Sequence, residues 1–261
     1  MAHNYSMPDF YHLGFSLHDL GERRPTLAIL SGDPNRASFI AQNMLEEPRT
    51  LSENRGLNSY LGLLPSGKPI LSATSGMGAP SLSIVVNELV QAGIRTIIRV
   101  GTSGSIQEEL KPGMVAISKG ALCRQGAAND IAPPEYPASA DPFLTVALVE
   151  AAQKLGVGYA LGITASVDTF YEGQERTGSA NPHLMRSLQG ITEEYRNLRV
   201  INYEMEAGTL FKMGNVYGFA AACVCGIIAQ RTRDEKPVLE AKATAVQHAV
   251  EVALAAAEQF A

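Results

Sequence analysis

The run Thr96-Ile97-Ile98-Arg99-Val100-Gly101-Thr102-Ser103-Gly104-Ser105 decides the fold class. Its first half is a short apolar stretch of the kind found in strands buried on both faces. Its second half is rich in Gly and Ser, which interrupts a strand and lets backbone approach a ligand closely. The pattern predicts a strand over Thr96–Val100 ended by the small residues that follow. Arg99 is the exception inside it, because an unpaired charge is costly to bury. Either an acidic side chain or an anionic ligand must answer it.

Outward from this run the same alternation recurs. Leu27-Ala28-Ile29-Leu30 reads as a buried strand that stops at Ser31-Gly32, and Asp33-Pro34 then opens a helix. Asp at the N-cap with Pro at the first helical position is a strong start. Asn58–Leu64 and Pro69–Ala73 read as strands joined by Pro65-Ser66-Gly67, and Pro80 opens a helix that Gly93 ends. Met114–Ser118, Tyr159–Val167, Val200–Glu204 and Phe219–Ile228 read as further strands. Phe143–Leu155 and Ala241–Phe260 read as helices, and another begins near Glu206. Residues 120–141 are polar and Pro-rich without a period, which reads as a long functional loop. Strands alternating with helices predict an α/β protein, a single domain over residues 1–261 with a mainly parallel central sheet covered on both faces.

Bulk properties narrow the function. Hydrophobic residues are 46% and charged residues 18% of 261, which is globular material with ample core. The net charge of −5 argues against sequence-independent nucleic-acid binding, which needs clustered Lys and Arg. Cys123, Cys223 and Cys225 form no framework and no metal spacing, so a reducing, cytoplasmic setting is expected. In a strand, Cys223 and Cys225 would share one face as small buried hydrophobes. Met1–Gly14 lacks the apolar segment of a signal peptide, and no run of 18 apolar residues suggests a membrane span.

In open α/β sheets, sites gather at the C-terminal ends of strands. Gly32-Asp33-Pro34-Asn35-Arg36 places a Gly turn and an Arg at a helix start, where free N–H groups favour an anion. An ordinary capped helix is the bland alternative. Arg99 followed by Gly101, Thr102, Ser103 and Gly104 adds a charged fork, hydroxyls and open backbone at a second strand end. Ser75-Gly76-Met77-Gly78-Ala79-Pro80 begins like a dinucleotide fingerprint, but Ser81 stands where a third Gly belongs. Tyr203-Glu204-Met205-Glu206 offers carboxylates that could accept vicinal ribose hydroxyls, or could simply favour a helix start. Asp168-Thr169-Phe170-Tyr171-Glu172-Gly173-Gln174-Glu175-Arg176 joins a stacking ring, an amide and a cation, with an ordinary polar surface loop as the bland alternative. The amide of Gln174 can both donate and accept, as the edge of a uracil requires.

These blocks, in this order, resemble the nucleoside phosphorylase family, which spans uridine-cleaving enzymes and hexameric purine phosphorylases. The likeness runs from Phe10-Tyr11-His12-Leu13-Gly14 to the C-terminal helix and is greatest toward the uridine-cleaving branch. It implies a mixed, partly barrel-like sheet and the reversible phosphorolysis of uridine to uracil and ribose 1-phosphate in nucleoside salvage. It implies that Gly32, Arg36, Arg99 and Thr102 bind phosphate, joined by Arg55 from a neighbouring subunit. Thr102, Met205 and Glu206 would hold the ribose, with His12 from the neighbour reaching the 5′-hydroxyl. Ser103, Gly104, Phe170, Gln174, Arg176, Glu204 and Arg231 would form the base pocket. Arg99, Gln174, Arg176 and Glu206 would carry the catalysis. The resemblance implies a homo-oligomer, a hexamer with shared sites, and phosphate as co-substrate with no cofactor or metal. Some relatives bind potassium through a Glu that follows the equivalent of Arg55. Here Gly56 takes that place while Met77 and Ser81 are present, so no ion is expected. The rival readings are a purine nucleoside phosphorylase, a water-using nucleosidase and a non-catalytic nucleoside-binding protein.

Overall fold

The protein is described here by a computed structural model covering residues 9–232 and 239–260. Strand β1 (Leu27–Ser31) leads into helix α1 (Pro34–Met44), followed by β2 (Glu46–Ser52), β3 (Ser59–Leu63), β4 (Pro69–Thr74) and α2 (Ala79–Gln91). Then come β5 (Thr96–Ser105), β6 (Val115–Arg124), the single turn α3 (Gly126–Asn129), α4 (Pro142–Lys154) and β7 (Tyr159–Val167). The chain finishes with α5 (Ile191–Asn197), β8 (Val200–Glu204), α6 (Ala207–Tyr217), β9 (Ala220–Gln230) and α7 (Leu239–Phe260).

Capping explains two of the helix starts. Asp33 accepts the N–H of Asn35 at 2.9 Å ahead of Pro34, and Asp141 accepts the N–H of Leu144 at 2.8 Å ahead of Pro142. Each aspartate satisfies a donor that the first turn leaves open.

The sheet runs β2-β3-β4-β1-β5-β8-β7-β6-β9, and β9 pairs back onto β5. That closing pair makes β5-β8-β7-β6-β9 a five-stranded ring, with the other four strands as an open wing attached through β1. The sheet is mixed, with parallel ladders such as β1–β5 and β5–β9 beside antiparallel ones such as β5–β8 and β6–β9. The strand alternation of two sends Ile97 and Ile98 to opposite faces. Ile97 joins a core with Leu30, Ala73, Leu82 and Phe211 beneath α2 and α6, and Ile98 joins Ile29, Val224, Leu148 and Val250 beneath α4 and α7.

Four sequence expectations need correction. The strand predicted to stop at Val100 continues to Ser105, because β9 stays paired with it to Gln230 while β8 takes over from β1. The small residues serve close packing here rather than termination, since a Cβ on Gly101 would sit 2.8 Å from the Cys225 Sγ. Residues 120–141 are less irregular than expected: β6 reaches Arg124, α3 follows, and Gly120 bridges to Ser139. Strand β2 was not anticipated, because its residues are exposed or half-buried and carry no alternation. Helix α5 was not anticipated either, being only seven residues long. Cys223 and Cys225 do share a buried face, with Sγ atoms 3.7 Å apart. Among the described residues no helix is long and apolar enough to cross a membrane.

Candidate active site

The centre of the site is the point where β1 and β5 part. Up to Ser31 and Val100 the two strands are paired; beyond it β1 turns through Gly32 into α1. Such a split leaves a crevice at the strand ends. Arg99 lies there with only 5% of its surface exposed. One amino group donates to Glu206 Oε2, and Nε lies 3.7 Å from Glu204 Oε2. Nε and Nη1 are buried with no hydrogen-bond partner among the described residues. A Cβ on Gly32 would sit 3.8 Å from Arg99 Nη1 and 3.3 Å from the carbonyl of Gly76. Gly32 therefore lets the backbone of the turn pass close to the guanidinium without a side chain between them.

Arg36, two residues into α1, donates Nη1 to the carbonyl of Val100 at 3.1 Å. Two guanidiniums thus meet at one strand end. Burial works against the charge on Arg99, but the Glu206 carboxylate beside it holds its pKa above the ordinary arginine value. Burial and the neighbouring charge of Arg99 both push the pKa of Arg36 down. An anion between them would relieve that repulsion and engage the orphaned donors.

The two carboxylates facing Arg99 are held differently. Glu204 is engaged by the protein: Oε2 accepts the N–H groups of Glu206 at 2.8 Å and Ala207 at 2.7 Å, and Oε1 accepts the Ser166 hydroxyl. It caps α6, and Ser166 extends the cap by accepting the N–H of Gly208 at 2.8 Å. Burial, then repulsion from Glu206, raises its pKa. Glu206 reaches across to α2, where Oε1 accepts the N–H of Gly78 at 2.6 Å. Met205, half-buried between them, has its carbonyl fixed by Gln125 Nε2 at 2.5 Å, while Gln125 Oε1 takes the N–H of Thr209 at 2.9 Å. Ser103, one residue beyond the half-buried Thr102, accepts the Asn202 amide at 3.0 Å.

The loop after β7 folds against the same end of the barrel. Gln174 is 3% exposed, and its Oε1 accepts both Nε of Arg176 at 3.3 Å and Nη2 at 3.1 Å. The amide oxygen is therefore engaged, and Nε2 carries the remaining hydrogen-bonding capacity of the side chain. Arg176 lies over the ring of Phe170, 4.0 Å from its centroid. Arg231 donates to the carbonyl of Gln174 at 2.7 Å, rests over the Tyr203 ring, and crowds Gly104, where a Cβ would stand 3.1 Å from it.

His12 and Arg55 lie elsewhere and lie together. Asn54 donates to the carbonyls of Tyr11 and His12 at 3.1 and 2.9 Å, and Arg55 donates to the Tyr11 hydroxyl at 3.1 Å. His12 Nδ1 lies 2.6 Å from Glu88, far along α2 from Gly78. Arg55 is exposed and has the left-handed φ of +56°.

The structure thus brings together Gly32, Arg36, Arg99, Thr102, Ser103, Glu204, Met205 and Glu206 at the strand split, with Phe170, Gln174 and Arg176 in the adjoining loop against Gly104 of β5 and Arg231 just after β9. His12 and Arg55 form a separate patch. Gln125, Ser166 and Asn202 were not singled out from sequence, whereas Gly78 belongs to the Ser75–Pro80 segment already noted there. Asn202 carried a usable signal, a polar side chain inside an apparent core strand, which is the signal that marked Arg99. A cavity of about 430 Å³ lies against Arg23, Arg49 and Leu61–Leu63, and none of these site residues lines it.

Comparison with known proteins gives a consistent picture. The family model described as "Phosphorylase superfamily" matches residues 26–261. The uridine phosphorylase of Escherichia coli (strain K12) is 41% identical over 255 residues, covering 98% of this chain and 99% of the relative. That of Haemophilus influenzae is 40% identical over 252 residues, 97% of this chain and 98% of the relative. A DeoD-type purine nucleoside phosphorylase of Oceanobacillus iheyensis is 29% identical over 248 residues, 93% and 97% of the two chains.

Proposed function

Because this chain belongs to the phosphorylase superfamily, we propose that it cleaves uridine with inorganic phosphate, giving uracil and ribose 1-phosphate. The observation that carries the phosphate half is the buried Arg99 guanidinium, with Nε and Nη1 making no hydrogen bond among the described residues, beside Gly32 and Arg36. The uracil half rests on the joined Gln174 and Arg176 side chains and on the near end-to-end likeness to uridine phosphorylases.

In this reading phosphate sits in the crevice between Gly32, Arg36, Arg99 and Thr102, completed by Arg55 of a neighbouring copy. Glu206 holds the ribose together with Met205, and the neighbour's own His12 patch closes over the 5′ end. A phosphate oxygen forms the new bond to C1′ while the C1′–N1 bond breaks, and its electron pair leaves with the uracil. The sugar passes through an oxocarbenium-like state, for which the phosphate lying against C1′ is counter-charge as well as nucleophile. Arg176 and the Gln174 amide N–H groups meet the charge that spreads onto the uracil oxygens, and uracil then takes up one proton. Contacts that strengthen as that charge develops raise turnover. The reading needs no resident metal or general base, since phosphate is already an anion at neutral pH. Assembly into a hexamer and work in the cytoplasm, where the free thiols stay reduced, complete the proposal.

The test is to incubate the protein with uridine, inosine or 5′-methylthioadenosine, with and without phosphate, and to follow free base. Uracil release that requires phosphate is the expected result. Purine release makes it a purine phosphorylase, release without phosphate a nucleosidase, and tight uridine binding without release a binding protein.

A further inference from the structure

We propose that Glu175 is a positioning residue for base recognition, holding the Gln174–Arg176 pair by clamping it to the start of α5. The inference rests on the base-reading role assigned above to that pair.

Glu175 lies between the two base-reading residues and has φ of +53°. That left-handed conformation is unfavourable for any side chain with an ordinary Cβ, and Gly or Asn normally fills it. Most turns of this chain with positive φ do use Gly, including Gly190 at φ +78°. A glutamate kept in such a place points to a need for its side chain.

The need is visible across the loop. Its carboxylate accepts the N–H of Gly190 through Oε1 and the N–H of Thr192 through Oε2, the latter at 2.9 Å. Thr192 in turn shares a hydrogen bond of 3.1 Å with the Tyr203 hydroxyl. The Tyr203 ring lies under the Arg231 guanidinium, 5.1 Å from its centroid, and Arg231 donates to the Gln174 carbonyl at 2.7 Å. The contacts form a closed circuit: Glu175, the α5 start, Tyr203, Arg231, Gln174 and back through the chain to Glu175.

The circuit fixes the backbone on both sides of Gln174. The left-handed turn at Glu175 then lets Arg176 fold back so that its Nε and Nη2 both reach Gln174 Oε1. Without the carboxylate, the pair keeps its side chains but loses the frame that sets the amide against the base. A misplacement on the order of 1 Å in a recognition group is enough to cost much of its effect. Phosphate recognition at Arg36 and Arg99 uses none of these contacts.

The deciding measurement is the separation of two Michaelis constants. Glu175→Gly removes the carboxylate and the backbone strain together, and Glu175→Gln keeps an acceptor oxygen of the same reach. For Glu175→Gly, KM for uridine is expected to rise about tenfold or more with KM for phosphate within about twofold of wild type. Uracil affinity at saturating phosphate, measured by calorimetry, should fall by a similar factor, and Glu175→Gln, which keeps only one of the two acceptor oxygens, should raise KM for uridine in the same selective way but by less. An unchanged uridine KM overturns the proposal, and so does a parallel rise in both constants, the mark of a general structural fault. If Glu175→Gly fails to fold, Glu175→Gln decides the question by whether the uridine constant alone shifts. A wild-type protein that cleaves some other nucleoside refutes the uridine reading alone, and the same split measured on that nucleoside still tests Glu175. A wild-type protein that binds no base overturns both.

Discussion

Of the two explanations open to Arg99 from sequence alone, the acidic partner is present and the anionic ligand is the one proposed. Arg99 has acidic partners, Glu206 and at longer range Glu204, and it keeps two buried donors unused. Fully paired, it would be a structural arginine; the remaining donors are what the proposed phosphate would engage. Arg176 is placed differently, in a loop over Phe170 and against Gln174. The two arginines should therefore fail in different ways. Arg99→Ala should raise KM for phosphate and also destabilise the fold by about 3–5 kcal/mol, because it leaves buried carboxylates without their counter-charge. Arg176→Ala should lower kcat on uridine by roughly 10²–10³, the usual effect of losing one donor to developing charge, with KM for phosphate little changed. Steady-state kinetics with each substrate varied, alongside thermal melts, checks the division. Equal loss of phosphate affinity in the two variants would falsify it. Arg99 was legible because a charge inside an apolar run is conspicuous. The engagement of the Gln174 oxygen by Arg176 was not, since it depends on how one loop folds back on itself.

At the scale of elements, legibility followed burial. Strands β7 and β8 lie where their apolar runs predict, Tyr159–Val167 and Val200–Glu204. The exposed β2 left no such trace. Nor could any local pattern reveal that α2 touches both groups of candidate residues, receiving Glu206 at Gly78 and holding His12 at Glu88. Glu88 also accepts the N–H of Leu13 at 2.8 Å. Burial works to raise its pKa, but the hydrogen bonds from Leu13 and His12 outweigh that and lower it below the ordinary value. A depressed carboxylate stabilises the fold in full above its unfolded pKa, about 4.3 for Glu, and loses that contribution as pH falls through the lower folded value. Wild type should thus melt above Glu88→Gln at neutral pH, and the gap should close below about pH 4. Paired melts across pH 3–7 check this, and a gap that persists unchanged to pH 3 would refute it.

At the scale of the whole molecule, the candidate residues fall into two groups. Gly78 and Glu88 are ten positions apart on the sequence, so the end of α2 that holds His12 lies about 15 Å along the helix from the end that holds Glu206. His12 and Arg55 are tied to each other through Tyr11 and Asn54, and no hydrogen bond among the described residues ties them to the strand split. One patch on each chain serving the crevice of a two-fold partner would use both surfaces at once, since a two-fold contact repeats each of them. Two inactive variants then become informative together. Arg55→Ala spoils only what a chain lends, and Glu206→Ala spoils only what it keeps. Co-refolded in equal amounts as randomly paired dimers, half the pairs are mixed, and each mixed pair holds one intact site of two. About a quarter of wild-type activity should return, although each variant alone has little. Recovery that stays at the sum of the separate variants would mean that His12 and Arg55 reach the crevice of their own chain or none.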